Sequence, residues 1–254
     1  MLDTFISLQD VSRSFGTQHP GLQACNLNLR AKECVGLVGC SGAGKSTLLK
    51  LLLALEHCDS GRIFCQGQQI TPASSTKLRW YRRLVQYVPQ DAHASLNPRH
   101  NVAQLIAEPL RQLTSKRNLA PRVEWALRQV ELDGQLLHAR PGELSGGQAQ
   151  RVALARAIAP QPRFLLADEP VSGLDLPLRQ QIISLLANIS QRQEMGLLVV
   201  SHDLSLVSRL CQRTLVMDHG VIVEDRPTAA LLRTPRHCAT QALIAAIPSV
   251  PYAC

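Results

Sequence analysis

Residues 35 to 52 read Val35-Gly36-Leu37-Val38-Gly39-Cys40-Ser41-Gly42-Ala43-Gly44-Lys45-Ser46-Thr47-Leu48-Leu49-Lys50-Leu51-Leu52, and this stretch decides the fold. A short continuous apolar run suits a buried strand, and the leucine-rich segment after it suits a helix. Between them, residues 39 to 47 match the pattern G-x-x-x-x-G-K-[ST] in the context it requires, strand before and helix after. Glycines at 39, 42 and 44 let backbone N–H groups curl around phosphate oxygens. Lys45 is placed to neutralise the β- and γ-phosphates of a nucleotide, and the Ser46 hydroxyl to ligate Mg²⁺.

Working outward, residues 164 to 169 are an apolar strand that ends in two carboxylates, Asp168 and Glu169. One carboxylate can hold a magnesium shell while the other polarises a water. Asp168 fits the first role, and Glu169 fits the second as general base for in-line attack on a γ-phosphorus. His202 follows the apolar run 197–200, at the end of a strand where a side chain faces a ligand crevice. A neutral imidazole there can bond a γ-phosphate or the attacking water. Gln90 follows the strand at 84–88 and carries an amide able to reach Mg²⁺ or the water. Leu144-Ser145-Gly146-Gly147-Gln148 precedes an apolar-periodic segment (Val152, Leu154, Ala155, Ile158). It predicts a helix N-terminus with bare amides, which is an anion site. A Gly-Gly turn before a helix would give the same letters.

Composition excludes several alternatives. The chain has 254 residues, 45% of them hydrophobic, enough for one substantial core or one core with an inserted lobe. No apolar run reaches membrane-spanning length, and the N-terminus lacks the basic start and apolar segment of a signal peptide. A cytoplasmic protein with at most peripheral membrane contact is expected. The eight cysteines are scattered without a C-x-x-C pair, which predicts reduced, mostly buried thiols. The net charge is +8, with local clusters at 79–83 and 111–117. Such a surface suits an anionic membrane as well as nucleic acid, but an aromatic content of 4% gives little base-stacking platform, and no nucleic-acid partner is expected.

Strand signals at 5–8, 27–29, 35–38, 62–65, 69–70 and 84–88 make the first part β-rich. Residues 91 to 160 change to helical patterns punctuated by Pro98, Pro109, Pro121 and Pro141. Strands alternating with helices then return (164–167, 177–193, 197–200, 204–211), followed by a hairpin turning at His219-Gly220 and a proline-marked tail. Such alternation implies an α/β fold with a largely parallel sheet covered on both faces, carrying a helical insertion.

These motifs, in this order, resemble the nucleotide-binding subunits of ABC transporters over about residues 3 to 248. The resemblance implies a P-loop NTPase (RecA-like) parallel sheet core, an N-terminal antiparallel β subdomain and an inserted α-helical subdomain. It divides the single ATPase domain into a catalytic core (1–90 and 161–226), a helical signature subdomain (91–160) and a C-terminal tail (227–254). It makes Phe15 the aromatic that stacks on adenine, residues 39–47 (with Ser41 and Thr47) the Walker A loop, and Gln90 the Q-loop glutamine. Residues 144–148 become the signature and Asp168-Glu169 the end of Walker B. Asp175 belongs to the D-loop, and His202 is the switch histidine. ATP and Mg²⁺ follow as ligands, with Ser46, Gln90 and Asp168 around the metal.

Two stretches narrow the resemblance to the oligopeptide, dipeptide and nickel importers: 90–99 (Gln-Asp-Ala-His-Ala-Ser-Leu-Asn-Pro-Arg) and the tail 234–248. Residues 210–213 lean toward the nickel branch over the peptide branch. The implied partners are transmembrane permease subunits, a second ATPase subunit packed head to tail in a hetero- or homodimer, and, indirectly, an extracytoplasmic substrate-binding protein. The implied location is the cytoplasmic face of the inner membrane. The competing readings are an exporter or lipoprotein-release ATPase, and a soluble ABC-type ATPase of translation or DNA repair.

Overall fold

The computed structural model describes residues 4–16, 20–115 and 117–246. Lys116 of the basic cluster and Ile247 and Pro248 of the tail motif lie outside them. The strands are β1 (Thr4–Ser14), β2 (Pro20–Arg30), β3 (Cys34–Val38), β4 (Ser60–Cys65), β5 (Gln68–Ile70), β6 (Val85–Val88), β7 (Phe164–Asp168), β8 (Gly196–Val200), β9 (Arg213–Asp218) and β10 (Val221–Pro227). The helices are α1 (Lys45–Leu52), α2 (Arg79–Leu84), α3 (Val102–Leu113), α4 (Ala120–Gln129), α5 (Gly146–Ile158), α6 (Leu176–Arg192), α7 (Leu204–Leu210), α8 (Thr228–Arg233) and α9 (Cys238–Ala245). This is the P-loop NTPase fold, with an N-terminal antiparallel sheet and an inserted helical part. The chain forms two compact units, one from residues 1–72 and 198–254, the other from Ala73–Leu197.

The first unit contains an antiparallel sheet in the order β2-β1-β4-β5 and the strands β10-β9-β3, continued by the end of β8. β3 is buried at every residue and pairs in parallel with β9, Val35 opposite Arg213 and Val38 opposite Val216. β1 and β2 each run eleven residues, much longer than the alternating segments at 5–8 and 27–29 predict. The reason is local. Asp10 and Ala24 take positive φ (49° and 39°), and the register shifts between Leu8 and Val11, so the alternation of faces is interrupted within one strand. α1 turns Leu48, Leu49, Leu51 and Leu52 into the core, which is why a leucine-rich segment directly follows the glycine loop.

In the second unit β8, β7 and β6 are neighbours in that order, and β6 runs parallel to β7 with Val85 opposite Phe164. α5 is Ala-rich and buried along most of its length, including Ala149, Val152, Ala153, Ala155 and Ile158. Small residues let neighbouring helices approach closely, and α3 and α4 pack against it. α3 is closed at its start by a reciprocal Asn101–Gln104 capping box. Pro109 lies inside α3 rather than punctuating it, removing the N–H that would otherwise bond the Leu105 carbonyl. The segment 79–84, a basic cluster in sequence, forms the short helix α2, so the following strand begins at Val85 rather than Leu84.

Candidate nucleotide-binding residues

The first unit holds Phe15, the loop 39–47 and His202. The loop leaves β3 at Gly39 and enters α1 through Gly44, whose φ is 104°. A Cβ at Gly44 would also meet the Gly21 carbonyl oxygen at 2.5 Å, so two independent constraints require glycine there. The Lys45 Nζ donates to the carbonyls of Gly39 (2.6 Å) and Cys40 (2.8 Å), which fixes its ammonium inside the curl of the loop. Ser41, Gly42 and Ser46 are exposed, and Thr47 is half-buried. The β9–β10 turn buttresses the loop from behind. The Gly220 N–H donates to the Ala43 carbonyl at 2.9 Å, and the Gln23 N–H donates to the Gly220 carbonyl at 2.9 Å. In sequence, His219-Gly220 reads only as a hairpin turn, and nothing in it signals support of a loop so far upstream.

Phe15 is 43% exposed, unusual for a phenylalanine, with the Arg13 guanidinium 5.0 Å from its ring centroid. His202 is exposed and follows the last residues of β8. The Ser201 N–H donates to the Leu37 carbonyl at 3.0 Å, which sets this strand end beside the end of β3 that launches the loop.

The second unit holds Gln90, residues 145–148, Asp168, Glu169 and Asp175. Asp168 is the last residue of β7, and the Tyr87 hydroxyl on β6 donates to its Oδ2 at 3.2 Å. Burial first, then the Asp168 charge and hydrogen bond, push the Tyr87 phenol up to about 12, so it stays a donor at neutral pH. Glu169 has φ of 46°, a left-handed conformation uncommon for a side-chain-bearing residue and characteristic of strained turns at functional positions. Gln90 is exposed and separated from β6 only by Pro89.

Ser145 is the N-cap of α5. Its hydroxyl accepts from the Gln148 N–H at 3.2 Å, and Gln148 Oε1 accepts from the Ser145 N–H at 2.9 Å, a reciprocal capping box. The side chains of both residues thus serve the helix itself. The two glycines between them differ. A Cβ at Gly147 would meet the Leu178 side chain at 2.7 Å, whereas a Cβ at Gly146 has nothing within 4 Å. Asp175 is the N-cap of α6, its carboxylate accepting from the Leu178 N–H at 3.0 Å.

Sequence reasoning missed two residues that join these parts. Buried Gln150 of α5 donates from Nε2 to the Pro170 carbonyl at 2.8 Å, tying the helix to the turn that carries Glu169. Arg156, also of α5, donates to the Ser95 carbonyl (2.8 Å) and hydroxyl (3.0 Å), tying the same helix to the segment after Gln90. Burial pulls the Arg156 guanidinium down from its ordinary range, with Glu108 working the other way. The available signal was polar side chains on an otherwise Ala-rich apolar helix, where each must find a partner.

For a metal, the expected donors are the Ser46 hydroxyl, the Gln90 amide and the Asp168 carboxylate. All are oxygen ligands, the set that Mg²⁺ prefers, and within the second unit the Tyr87 hydroxyl orients the Asp168 carboxylate.

The ABC transporter family model matches residues 22–172. The nickel import ATP-binding protein NikE of Rhodospirillum rubrum is 45% identical over 235 residues, which cover 91% of this chain and 84% of that protein. The protein of the same name from Escherichia coli strain K12 is 43% identical over 207 residues, covering 81% of this chain and 77% of its own. Among solved structures, the dimeric cassette MJ0796 in a post-hydrolysis state bound to ADP and phosphate superposes with a TM-score of 0.79 at 26% identity, covering 88% of this chain and 98% of that one.

Proposed function

Because this chain belongs to the ABC transporter family and is an ATP-binding, ATP-hydrolysing subunit, we propose that it powers an importer for nickel or a nickel chelate. The observation that carries the cargo is the likeness to nickel import ATP-binding proteins across most of both chains. Di- or oligopeptides are the second cargo class, favoured by the segment 90–99.

In this reading the Lys45 ammonium and the amides of residues 39–47 hold the β- and γ-phosphates of ATP, and Phe15 stacks on adenine. Ser46, Gln90 and Asp168 would hold Mg²⁺, which would supply neutralisation of the phosphate charge. Tyr87 holds the Asp168 carboxylate in its orientation. Glu169 takes the proton from the attacking water, while His202 positions that water and the γ-phosphate. Asp175 lends its carboxylate near the nucleotide while capping α6.

Two such subunits, this chain and a homologous or identical second one, pack head to tail. Ser145, Gly146, Gly147 and Gln148 of each then face the nucleotide held by the other. The N-terminus of α5 carries partial positive charge, so it is stabilised by the γ-phosphate and released when that phosphate leaves. Permease helices dock at the cytoplasmic membrane face near residues 90–99 and transmit the closure, and a substrate-binding protein outside delivers the cargo.

The test is uptake in a strain lacking the chain. Loss of labelled nickel uptake with normal dipeptide uptake is the expected result, and the reverse overturns the nickel reading. Co-purification of permease subunits from membranes checks the assembly separately.

A further inference from the structure

Arg79, Arg83 and Arg122 line a cavity of about 640 Å³ between α2, the end of α3 and the turn after α5. A neighbouring cavity of about 820 Å³ shares Trp80, Arg83, Pro160 and Gln161 with it and adds Arg163 and Arg192. Among the described residues no Asp or Glu lines either hollow. Arg122 is fixed in place. Its Nε donates to the Ala159 carbonyl at 2.6 Å, and its guanidinium lies 3.4 Å from the Trp125 ring centroid. Arg79 donates to the Thr114 carbonyl at 3.3 Å. The side chains of Arg83, Arg163 and Arg192 are exposed and make no hydrogen bond or ion pair with the described residues. The amide of Gln193, on the wall of the larger hollow, likewise has neither its Nε2 nor its Oε1 matched.

Concave walls carrying one sign of charge focus a positive field, and unpaired guanidinium forks match phosphate oxygens two at a time. Indole faces beside them add flat apolar wall. The volume is that of a small-ligand site. Arg163 immediately precedes β7, whereas Asp168 ends that strand, so the hollow lies roughly 15 Å along the strand from the Mg²⁺-ligand end. It is a separate site from the one built on Asp168 and Glu169.

We infer that this arginine–tryptophan pocket binds a phosphate-bearing anion, presented either as a free di- or polyphosphate or as the headgroup of an anionic phospholipid. The chain supplies its own reporter, because its two tryptophans, Trp80 and Trp125, both line the site. The experiment follows intrinsic tryptophan emission of the full-length protein carrying Lys45→Ala, which weakens the phosphate loop. The probes are pyrophosphate, phosphatidylglycerol vesicles and phosphatidylcholine vesicles.

A saturable change with pyrophosphate supports the free-phosphate source. A change with phosphatidylglycerol, absent with phosphatidylcholine, supports the headgroup source. In either case Arg83→Gln combined with Arg163→Gln should weaken the apparent affinity at least ten-fold. Both side chains are exposed and make no bond within the fold, so circular dichroism of that variant should match the parent. No saturable change with pyrophosphate or phosphatidylglycerol overturns the inference. So does an equal response to phosphatidylcholine, or an affinity that the double substitution leaves unchanged.

Discussion

Two regions of this molecule put glycines at the start of a helix, and they do so for opposite reasons. At the loop 39–47 the chain itself dictates the residue. Gly44 sits at φ 104° with the Gly21 carbonyl where a side chain would go. At the start of α5 the chain crowds only Gly147, where an added Cβ would need the Leu178 side chain to give way. Gly146 has ordinary backbone and open space beside it. Nothing among the described residues requires a glycine there. The proposed partner-bound nucleotide, approaching the bare N–H groups from outside, would supply such a requirement. A local structure can explain its own residues in the first region and only half of them in the second.

The sharpest way to break this comparison is Gly44→Ala. It should abolish ATP binding, a loss of at least 100-fold in affinity by nucleotide titration, because φ and the carbonyl contact both oppose it. Next is Glu169→Gln, which should keep ATP binding and cut turnover by about 10²–10⁴-fold, the span usual for a lost general base. Normal turnover would remove Glu169 from that role.

Gly146→Ala should leave the melting temperature and single-chain ATP affinity unchanged while lowering steady-state turnover at least ten-fold. Gly147→Ala should instead destabilise the fold by about 1–3 kcal/mol through the clash with Leu178. If the two substitutions behave alike, the contrast between the glycines is wrong. Tyr87→Phe should raise the Mg²⁺ concentration for half-maximal turnover by about 10-fold, as loss of an orienting outer-shell bond does, with little change at saturating metal.

The smallest effect concerns Glu224 of β10, whose backbone donors Arg236 and His237 lie in the tail. Burial opposes ionisation of Glu224, but the backbone N–H groups of His237 and Arg236 and the Arg226 guanidinium outweigh it and hold the carboxylate down to about 2. A depressed folded-state value contributes stability above the ordinary carboxylate value of 4.5, lost as pH falls toward 2. Glu224→Gln should therefore cost about 1–2 kcal/mol at pH 7. In denaturant titrations the gap from the unsubstituted protein should close between pH 4.5 and 2.

The fold was legible where sequence pattern and chain geometry coincide. β3, the loop and α1 follow from 35–52 almost letter by letter. β1 and β2 were read short because bulges at Asp10 and Ala24 break the two-residue period that marks a strand. α2 was read as a charge cluster because one and a half turns give no period to detect. The residues proposed for the nucleotide stand out in sequence through motif spacing. Tyr87, Gln150 and Arg156 were not, since each acts through a partner far off in sequence. A hydrogen bond across 61 or 81 positions has no local signature.

Gln150 and Arg156 have one more implication. In the proposed pairing α5 would begin at residues offered to a neighbour's nucleotide, and along its length it grips the turn of Glu169 and the segment after Gln90. If that pairing holds, a helix with those three attachments would couple one nucleotide to the handling of the other. Paired chains built this way should fire as a couple. ATP hydrolysis should then rise with a Hill coefficient above one, and cutting the Gln150–Pro170 bond should bring it back toward one.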